Sequence, residues 1–264
     1  SVGGMPCSSS FHPAVVTATR MLTPTVRHVT LRLQLPEQQP APTFLPGQWL
    51  DLAAPGLSEL GGFSICSTPG CLATDRCLEL AVRRAPASPP ARWIHEACRP
   101  GDRVSLRIGG RCVLRPDEAA TRPLLLVAGG IGISPLMSIF RQRVELAEAA
   151  AAAAADSLPK TLLLHSAGSP DELAFRDLIA DECSRWRRLE ARWFVTGQSG
   201  ERIRPDYLTR LAEELRLSED GWLAFVCGPP GMAEQLGDTL MAAGLPQDRL
   251  RREDWSLGGE TDPS

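Results

Sequence analysis

The sequence predicts two domains, a small antiparallel β-barrel followed by an α/β doubly wound parallel sheet. Three observations lead to that reading. Up to Arg115 the chain holds short apolar and β-branched runs separated by Pro and Gly clusters, the spacing of an antiparallel barrel. Beyond Arg115 it changes to strands alternating with helical periods, the pattern of a parallel sheet covered by helices. Two of those later strands end in glycine turns that open onto helices, as nucleotide sites do.

In order, the predicted barrel strands are Ala14 to Thr19, Val26 to Leu35, Gln48 to Ala53, Phe63 to Ser67, Leu78 to Arg84 and Val104 to Ile108, with a short helix Arg92 to Ala97 after Ser88-Pro89-Pro90-Ala91. The predicted second domain runs strand Leu124 to Val127, a helix reaching the alanine run near Ala149 to Ala155, strand Thr161 to Ser166, helix Leu173 to Cys183 and strand Leu189 to Val195. Helix Pro205 to Leu217, strand Trp222 to Cys227, helix Pro230 to Ala243 and a strand about Arg249 to Trp255 follow. The predicted boundaries are a flexible segment 1–13, a barrel 14–117, a sheet domain 118–255 and a flexible tail 256–264, the domain break falling near Pro116 to Arg122.

A chain of 264 residues is long enough for two cores. With 28 basic and 31 acidic side chains and a net charge of -3, it lacks the electrostatic footprint of a nucleic-acid binder. No apolar run reaches transmembrane length, so a soluble chain with no membrane span is predicted. Eight cysteines without a Cys-x-x-Cys pair suit a reducing compartment. The spacing of Cys66, Cys71 and Cys77 departs from that of a plant-type iron–sulfur module. Histidines 12, 28, 95 and 165 show no metal-ligand spacing and are read as structural, so no metal site is predicted. The chain begins at Ser1, as a processed terminus does, and residues 1–36 contain no acidic side chain, which suits the tail of a mitochondrial transit peptide; a cytoplasmic location is the alternative.

The stretch Leu124-Leu125-Leu126-Val127-Ala128-Gly129-Gly130-Ile131-Gly132-Ile133-Ser134-Pro135 joins a strand buried on both faces to a helix, with Ser134 placed to cap and Pro135 in the first turn. By itself it reads equally as a pyrophosphate site or as a plain strand-to-helix turn. A second strand, Trp222 to Cys227, ends in Gly228-Pro229-Pro230-Gly231-Met232, a combination that a generic turn does not require.

Together, Gly-Gly-Ile-Gly-Ile-Ser-Pro and Cys-Gly-Pro-Pro-Gly-Met resemble the nicotinamide-nucleotide half of the ferredoxin-NADP reductase superfamily. Gly47-Gln48-Trp49, Gly61 to Ser67, Pro89-Pro90-Ala91 with Trp93-Ile94-His95, and Glu253 with Trp255 extend the resemblance from about Ala14 to Trp255. It implies a dinucleotide held by Gly129, Gly130, Ile131, Gly132, Ile133, Ser134, Gly228 and Pro229, and an FAD held by the barrel. The superfamily's flavin motif Arg-x-Tyr-Ser reads Gly61-Gly62-Phe63-Ser64 here, so the aromatic and the serine are present and the arginine is absent. Its Gly-x-x-Ser turn reads Ser88-Pro89-Pro90-Ala91, without the final hydroxyl, although a helix end there still offers N–H donors. Arg83 or Arg84 is placed to supply the missing charge, and either is equally a solvated strand-end charge.

The same resemblance puts Cys227 beside the nicotinamide ring, Glu253 in proton handling or ring positioning, Ser64 near the reactive flavin nitrogen and Trp255 over the flavin face. Where NADP-using relatives carry Ser-Arg after the third strand, this chain has Thr196-Gly197, and Ser166 to Glu172 is acidic, so NAD is favoured over NADP; Arg202 argues the other way. The implied activity is an NAD(H)-dependent flavin-type reductase that passes a hydride from nicotinamide to FAD and on to an acceptor the sequence does not identify. The alternative is an NAD-binding sensor or interaction protein that has lost tight flavin binding.

Overall fold

A computed structural model describes residues 10–150, 157–197, 200 and 202–253. The chain divides into two compact units between Val113 and Leu114.

In the first unit, β1 (His12–Met21), β2 (Val26–Leu33), β3 (Trp49–Ala53), β4 (Leu60–Ser64), β5 (Cys77–Arg83) and β6 (Arg103–Gly109) form one sheet in the order β4-β3-β6-β1-β2-β5, each neighbouring pair antiparallel. The two edge strands meet just past β4. Ile65 bridges Leu80, and the Cys66 N–H donates to the Glu79 carbonyl at 2.9 Å. The predicted barrel is thereby closed, which removes the exposed strand edges that invite aggregation. Val29, Leu31, Leu50, Ile65, Leu80 and Leu106 fill its interior.

Helix α1 (Pro69–Asp75) was absent from the sequence reading because two turns carry too few apolar residues to show a period; Thr68 caps it, its hydroxyl accepting from the Cys71 N–H at 3.2 Å. Helix α2 (Pro89–Glu96) starts three residues before the predicted point, since Pro89 and Pro90 occupy first-turn positions where no N–H is needed. Arg27 of β2 closes the other end of α2, donating to the carbonyls of Ile94 at 2.9 Å and His95 at 2.8 Å.

The second unit contains α3 (Pro116–Thr121), β7 (Leu124–Gly129), α4 (Ile133–Ala149), β8 (Thr161–Ala167), α5 (Arg176–Arg185), β9 (Leu189–Val195), α6 (Pro205–Glu214), β10 (Leu223–Cys227), α7 (Pro230–Ala242) and β11 (Leu250–Glu253). Its five strands are parallel, in the order β11-β10-β7-β8-β9. The chain winds outward from β7 to β9, then returns to the opposite side of β7 for β10 and β11. That reversal puts the topological switch point between β7 and β10, where ligands of doubly wound sheets bind. Every residue of β7, β8 and β10 is buried, which is why these strands read as unbroken apolar runs.

Several predicted boundaries move for local reasons. Helix α5 begins at Arg176 and not Leu173, because Pro170–Glu172 makes a separate 3-10 turn and Phe175 takes a left-handed φ of 62°. Helix α6 stops short of Leu217, followed by Arg216 at φ 51°. The stretch predicted as a domain break, Pro116 to Arg122, is mostly helix α3. His12 and Pro13, predicted as flexible, belong to β1. Of the rest of the predicted flexible ends, Ser10 and Phe11 are exposed and lead into β1, while residues 1–9 and 256–264, like most of the alanine run, lie outside the described residues.

Leu126, fully buried in the middle strand β7, is flanked in register by Leu163 and Phe225. Leu126→Ala should lower the unfolding free energy by about 2–5 kcal/mol, and Leu126→Met, which keeps the volume, by less than about 1.5 kcal/mol. Urea denaturation followed by circular dichroism measures both.

Candidate functional site

At the switch point, Ala128 of β7 stands opposite Cys227 of β10, and the turns that leave these strands touch through bare backbone. A Cβ on Gly132 would run into the Cys227 carbonyl and lie 2.8 Å from the Gly228 nitrogen; one on Gly228 would lie 3.2 Å from Gly129 Cα. A Cβ on Gly129 would strike Met232 Sδ and lie 3.0 Å from Pro229 Cδ. Gly130 has φ 53°, a left-handed conformation that glycine adopts without strain. Three glycines here are fixed by contact and one by conformation.

Gly130–Gly132 form a 3-10 turn that carries the chain into α4 at Ile133. Ser134 therefore does not cap. Gly132 is the N-cap, without a side-chain hydrogen bond, and Ser134 lies inside the first turn, 2 % exposed. Pro135 is in the first turn, as predicted. Helix α7 likewise starts behind Pro229 with no side-chain cap. No capping side chain competes for the first-turn N–H groups of these helices, and their positive ends favour an anion. Ile133 is fully buried and Ile131 partly so, which leaves their main chain as the part able to meet a ligand.

Beneath the turn lies a residue that the sequence reading passed over as structural. His165 of β8 is fully buried, and its Nε2–H donates to the Gly130 carbonyl at 3.2 Å. A carbonyl only accepts, so the ring is the Nε2-protonated tautomer; its Nδ1 has no partner among the described residues. Burial pushes its pKa down to about 4, against the smaller opposing effect of the Gly130 hydrogen bond, and the ring is neutral near pH 7. Its signal in the sequence is a lone polar residue near the end of an otherwise apolar strand.

Cys227 and Glu253 stand opposite each other in the β10–β11 register, and the buried thiol donates to Glu253 Oε2 at 3.8 Å. Burial raises the Glu253 pKa to about 7, while the bond from Cys227 pulls it slightly the other way. A second carboxylate holds the short edge strand in place. Glu118 of α3 takes a two-pronged bond from Arg251, at 2.7 and 2.5 Å, and also accepts the Arg115 N–H at 3.0 Å. Burial opposes ionisation of Glu118, but Arg251 and Arg115 together outweigh it and the pKa is lowered. This clamp, two residues from Glu253, was not read from the sequence because its partners are 133 positions apart. Trp255 lies outside the described residues.

In the barrel unit, Phe63 is partly exposed and Ser64 is 4 % exposed. The absent arginine of the flavin motif has a steric counterpart. A Cβ on Gly61 would strike the Phe63 ring and come within 2.6 Å of Pro90 Cβ, so no side chain fits there. The donors predicted at the start of α2 are also spent: Pro89 and Pro90 have no N–H, Ser88 N–H bonds the Ala85 carbonyl at 2.9 Å, and Ala91 N–H bonds Ser88 Oγ at 3.4 Å. Arg83 and Arg84 are exposed at the end of β5. The barrel thus has a partly exposed aromatic at Phe63 but lacks both phosphate contacts that the resemblance implies.

At the other end of the dinucleotide path, Gly197 N–H bonds the Gly168 carbonyl at 3.0 Å, and a Cβ on Gly197 would strike that same oxygen. Thr196 is tied to the Ala167 carbonyl by its N–H at 2.9 Å and its hydroxyl at 3.2 Å. No arginine can occupy position 197 without moving that loop. Asp171 and Arg202 are exposed nearby in sequence.

Comparison with known proteins agrees with this geometry. The oxidoreductase NAD-binding domain family matches residues 126–237, from β7 into α7. Oxidoreductase NAD-binding domain-containing protein 1 of Danio rerio is 39% identical over 234 residues, covering 85% of this chain and 86% of that protein. Among solved structures, the Amycolatopsis cytochrome P450 reductase GcoB superposes with a TM-score of 0.76 at 25% identity, covering 96% of this chain and 72% of the other. A ferredoxin NADP+ reductase from Neisseria gonorrhoeae, solved with bound FAD and NADP, superposes with a TM-score of 0.73 at 20% identity over 93% of this chain and 99% of its own. With a doubly wound unit whose glycine turns meet at the switch point and this identity over most of its length, the chain belongs to the family of oxidoreductase NAD-binding domain-containing protein 1, an NAD-binding oxidoreductase family of the ferredoxin-reductase fold.

Proposed function

We propose that the chain is an NAD(H)-dependent oxidoreductase that passes a hydride from nicotinamide to a loosely held FAD, for onward transfer to an acceptor. The observation that carries this reading is the Cys227–Glu253 pair: a buried thiol and a protonatable carboxyl stand in register at the carboxyl ends of two strands, next to the glycine turns. A domain that only bound the dinucleotide would have no use for a carboxyl that takes and releases a proton near pH 7. The uncapped starts of α4 and α7 would hold the pyrophosphate, the Gly129, Gly132 and Gly228 contacts would let it approach main chain, and His165 would keep the Gly130 turn in its binding shape. Cys227 would line the nicotinamide position, with Glu253 storing a proton beside it.

A flavin supplies the electron chemistry between a two-electron donor and its acceptor. The closed Gly61 position and the occupied donors of α2 support loose binding through Phe63 and Ser64, with Arg84 the remaining charge for a phosphate. Those same barrel features favour the second reading, an NAD-binding sensor or interaction protein without a flavin. Trp255 is the aromatic that the proposal places over the flavin ring.

An absorbance titration separates the two readings. Protein mixed with FAD under anaerobic conditions should show a flavin band that NADH bleaches, and gel filtration should strip the flavin away. A chain that binds NADH but leaves FAD unreduced is the sensor and not the reductase.

Gly132→Ala puts a methyl against the Cys227 carbonyl and should weaken NADH binding roughly ten- to hundredfold, about 1.4–2.7 kcal/mol, with circular dichroism unchanged. In the unmodified protein NADPH should bind at least about tenfold more weakly than NADH, because a 2′-phosphate meets Asp171 and Glu172 and gains no arginine at Gly197. Fluorescence titration of the reduced nucleotides reads both.

Glu253 also has a thermodynamic signature. Its folded pKa of about 7 lies above the ordinary 4.5, so the folded chain holds the proton over that interval while the unfolded chain releases it. Its contribution to stability is fully present below about pH 4.5 and is lost as pH rises through about 7. Thermal unfolding of the wild type and Glu253→Gln across this range should show the wild type losing stability relative to the variant as pH rises. The difference curve cancels the opposing contribution of His165, and a flat difference would contradict the buried-acid assignment.

A further inference from the structure

We propose that His28, Cys66 and Glu79 form a zinc-binding site on the outer face of the barrel. In the β2–β5 ladder His28 pairs with Ala81 and Thr30 with Glu79, so His28 and Glu79 are diagonal neighbours on one face, while Val29, Leu31, Leu78 and Leu80 turn to the core. Ile65 bridges Leu80 and points into that core, so the next residue, Cys66, points to the face that carries His28 and Glu79. The backbone fixes this meeting: Cys66 N–H bonds the Glu79 carbonyl at 2.9 Å, and Glu79 N–H bonds Ser67 Oγ at 3.0 Å.

The three donor atoms lie within 4.8 Å of one another, the one such group of three among the described residues. His28 Nε2 and Glu79 Oε2 are 3.4 Å apart. Tetrahedral zinc, with bonds of about 2.0–2.3 Å, sets its ligand atoms roughly 3.4–3.6 Å apart, so the nitrogen and oxygen already have the required separation and the sulfur lies within 4.8 Å of both. Nitrogen, sulfur and oxygen donors together suit zinc and not calcium or magnesium, which take oxygen. Charge fits the burial. Zn²⁺ with one thiolate, one carboxylate and a neutral imidazole sums to zero, and His28 is 5 % and Cys66 0 % exposed. On binding, a zinc–sulfur bond replaces the thiol S–H bond, the proton leaves to solvent and no redox change occurs. The Glu79 side chain is 25 % exposed, so a water can complete the fourth position from its side.

Full-length protein stripped with a chelator and dialysed should take up one zinc in competition with a chromogenic chelator. Co²⁺ in its place should give the near-ultraviolet charge-transfer band that requires a bound thiolate. Cys66→Ser should abolish that band and weaken zinc at least about tenfold. Glu79→Gln, at the partly exposed position, should weaken zinc comparably with circular dichroism unchanged, and it decides the matter if Cys66→Ser does not fold. At one fixed zinc concentration the melting temperature should rise more for the wild type than for either variant. No zinc uptake by the wild type, a cobalt band that survives in Cys66→Ser, or unchanged zinc affinity in Glu79→Gln would overturn the proposal, the second by placing the metal on another cysteine and the third by removing Glu79 from the ligands.

Discussion

The second unit depends on a contact between two stretches of main chain. The turn after β7 and the end of β10 approach until Gly132 meets the Cys227 carbonyl and Gly228 meets Gly129. Only residues without a Cβ permit this, and the approach brings the start of α4 and the start of α7 to the same strand ends. Each is a helix terminus whose first N–H groups lack a side-chain cap. The parallel sheet supplies the geometry, because β7 and β10 are neighbours that the winding reaches from opposite directions. The glycines supply the closeness. Without them the two dipole ends would stand farther apart, and a dinucleotide would meet side chains in place of N–H groups.

Around this contact the polar groups are arranged so that no bare charge is buried. His165 sits under the glycine turn as a neutral ring, held so by desolvation and bonded to the Gly130 carbonyl, which also accepts the Ile133 N–H. Glu253 is pushed toward its neutral form by burial. Glu118 is the contrasting case. Burial opposes its ionisation too, though less than for Glu253, and the bonds from Arg251 and Arg115 keep it charged; with Arg251 it anchors the four-residue edge strand that carries Glu253. Two carboxylates at one edge of a sheet thus take opposite protonation behaviour because one has an arginine and the other has a thiol.

Much of this was legible in the sequence, and what was not has a common cause. The apolar runs of β7, β8 and β10 announce strands buried on both faces, and the motifs after β7 and β10 announce a paired turn. Six barrel strands could be read from their punctuation by proline and glycine, although the fourth, predicted at Phe63 to Ser67, runs Leu60–Ser64 and shares only Phe63 and Ser64 with that prediction. Local signals failed where a position is decided by a distant neighbour. Ser134 has the right composition for a cap, yet a 3-10 turn moves the helix start ahead of it. His165 was indistinguishable from an ordinary core histidine until β8 was placed beside the Gly130 carbonyl. The Glu118–Arg251 clamp arises from a helix packing on a strand 133 positions away, and the grouping of His28, Cys66 and Glu79 from strand pairings that register creates. Helix α1 was missed for the opposite reason, being too short to show a period.

The two units stand in different condition as binding surfaces, and the same device explains both. In the sheet unit, glycine removes side chains so that two helix starts without side-chain caps come together, although Pro135 and Pro230 carry no N–H and the Ile133 and Met232 N–H groups already bond the Gly130 and Pro229 carbonyls. In the barrel unit, Gly61 likewise removes a side chain, but the vacated space is filled by the Phe63 ring and Pro90, and the start of α2 has its donors deleted by two prolines or satisfied by Ser88 and Ala85. Replacing Gly61 with arginine would therefore not restore a phosphate contact, since the ring and the proline would first have to move. Gly61, the Phe63 ring and Pro90 belong to one packing solution. An anion held by the barrel must be met from outside that solution, by Arg84 at the end of β5 or by main chain that the prolines do not block, and its affinity is accordingly set by solvent-exposed charge.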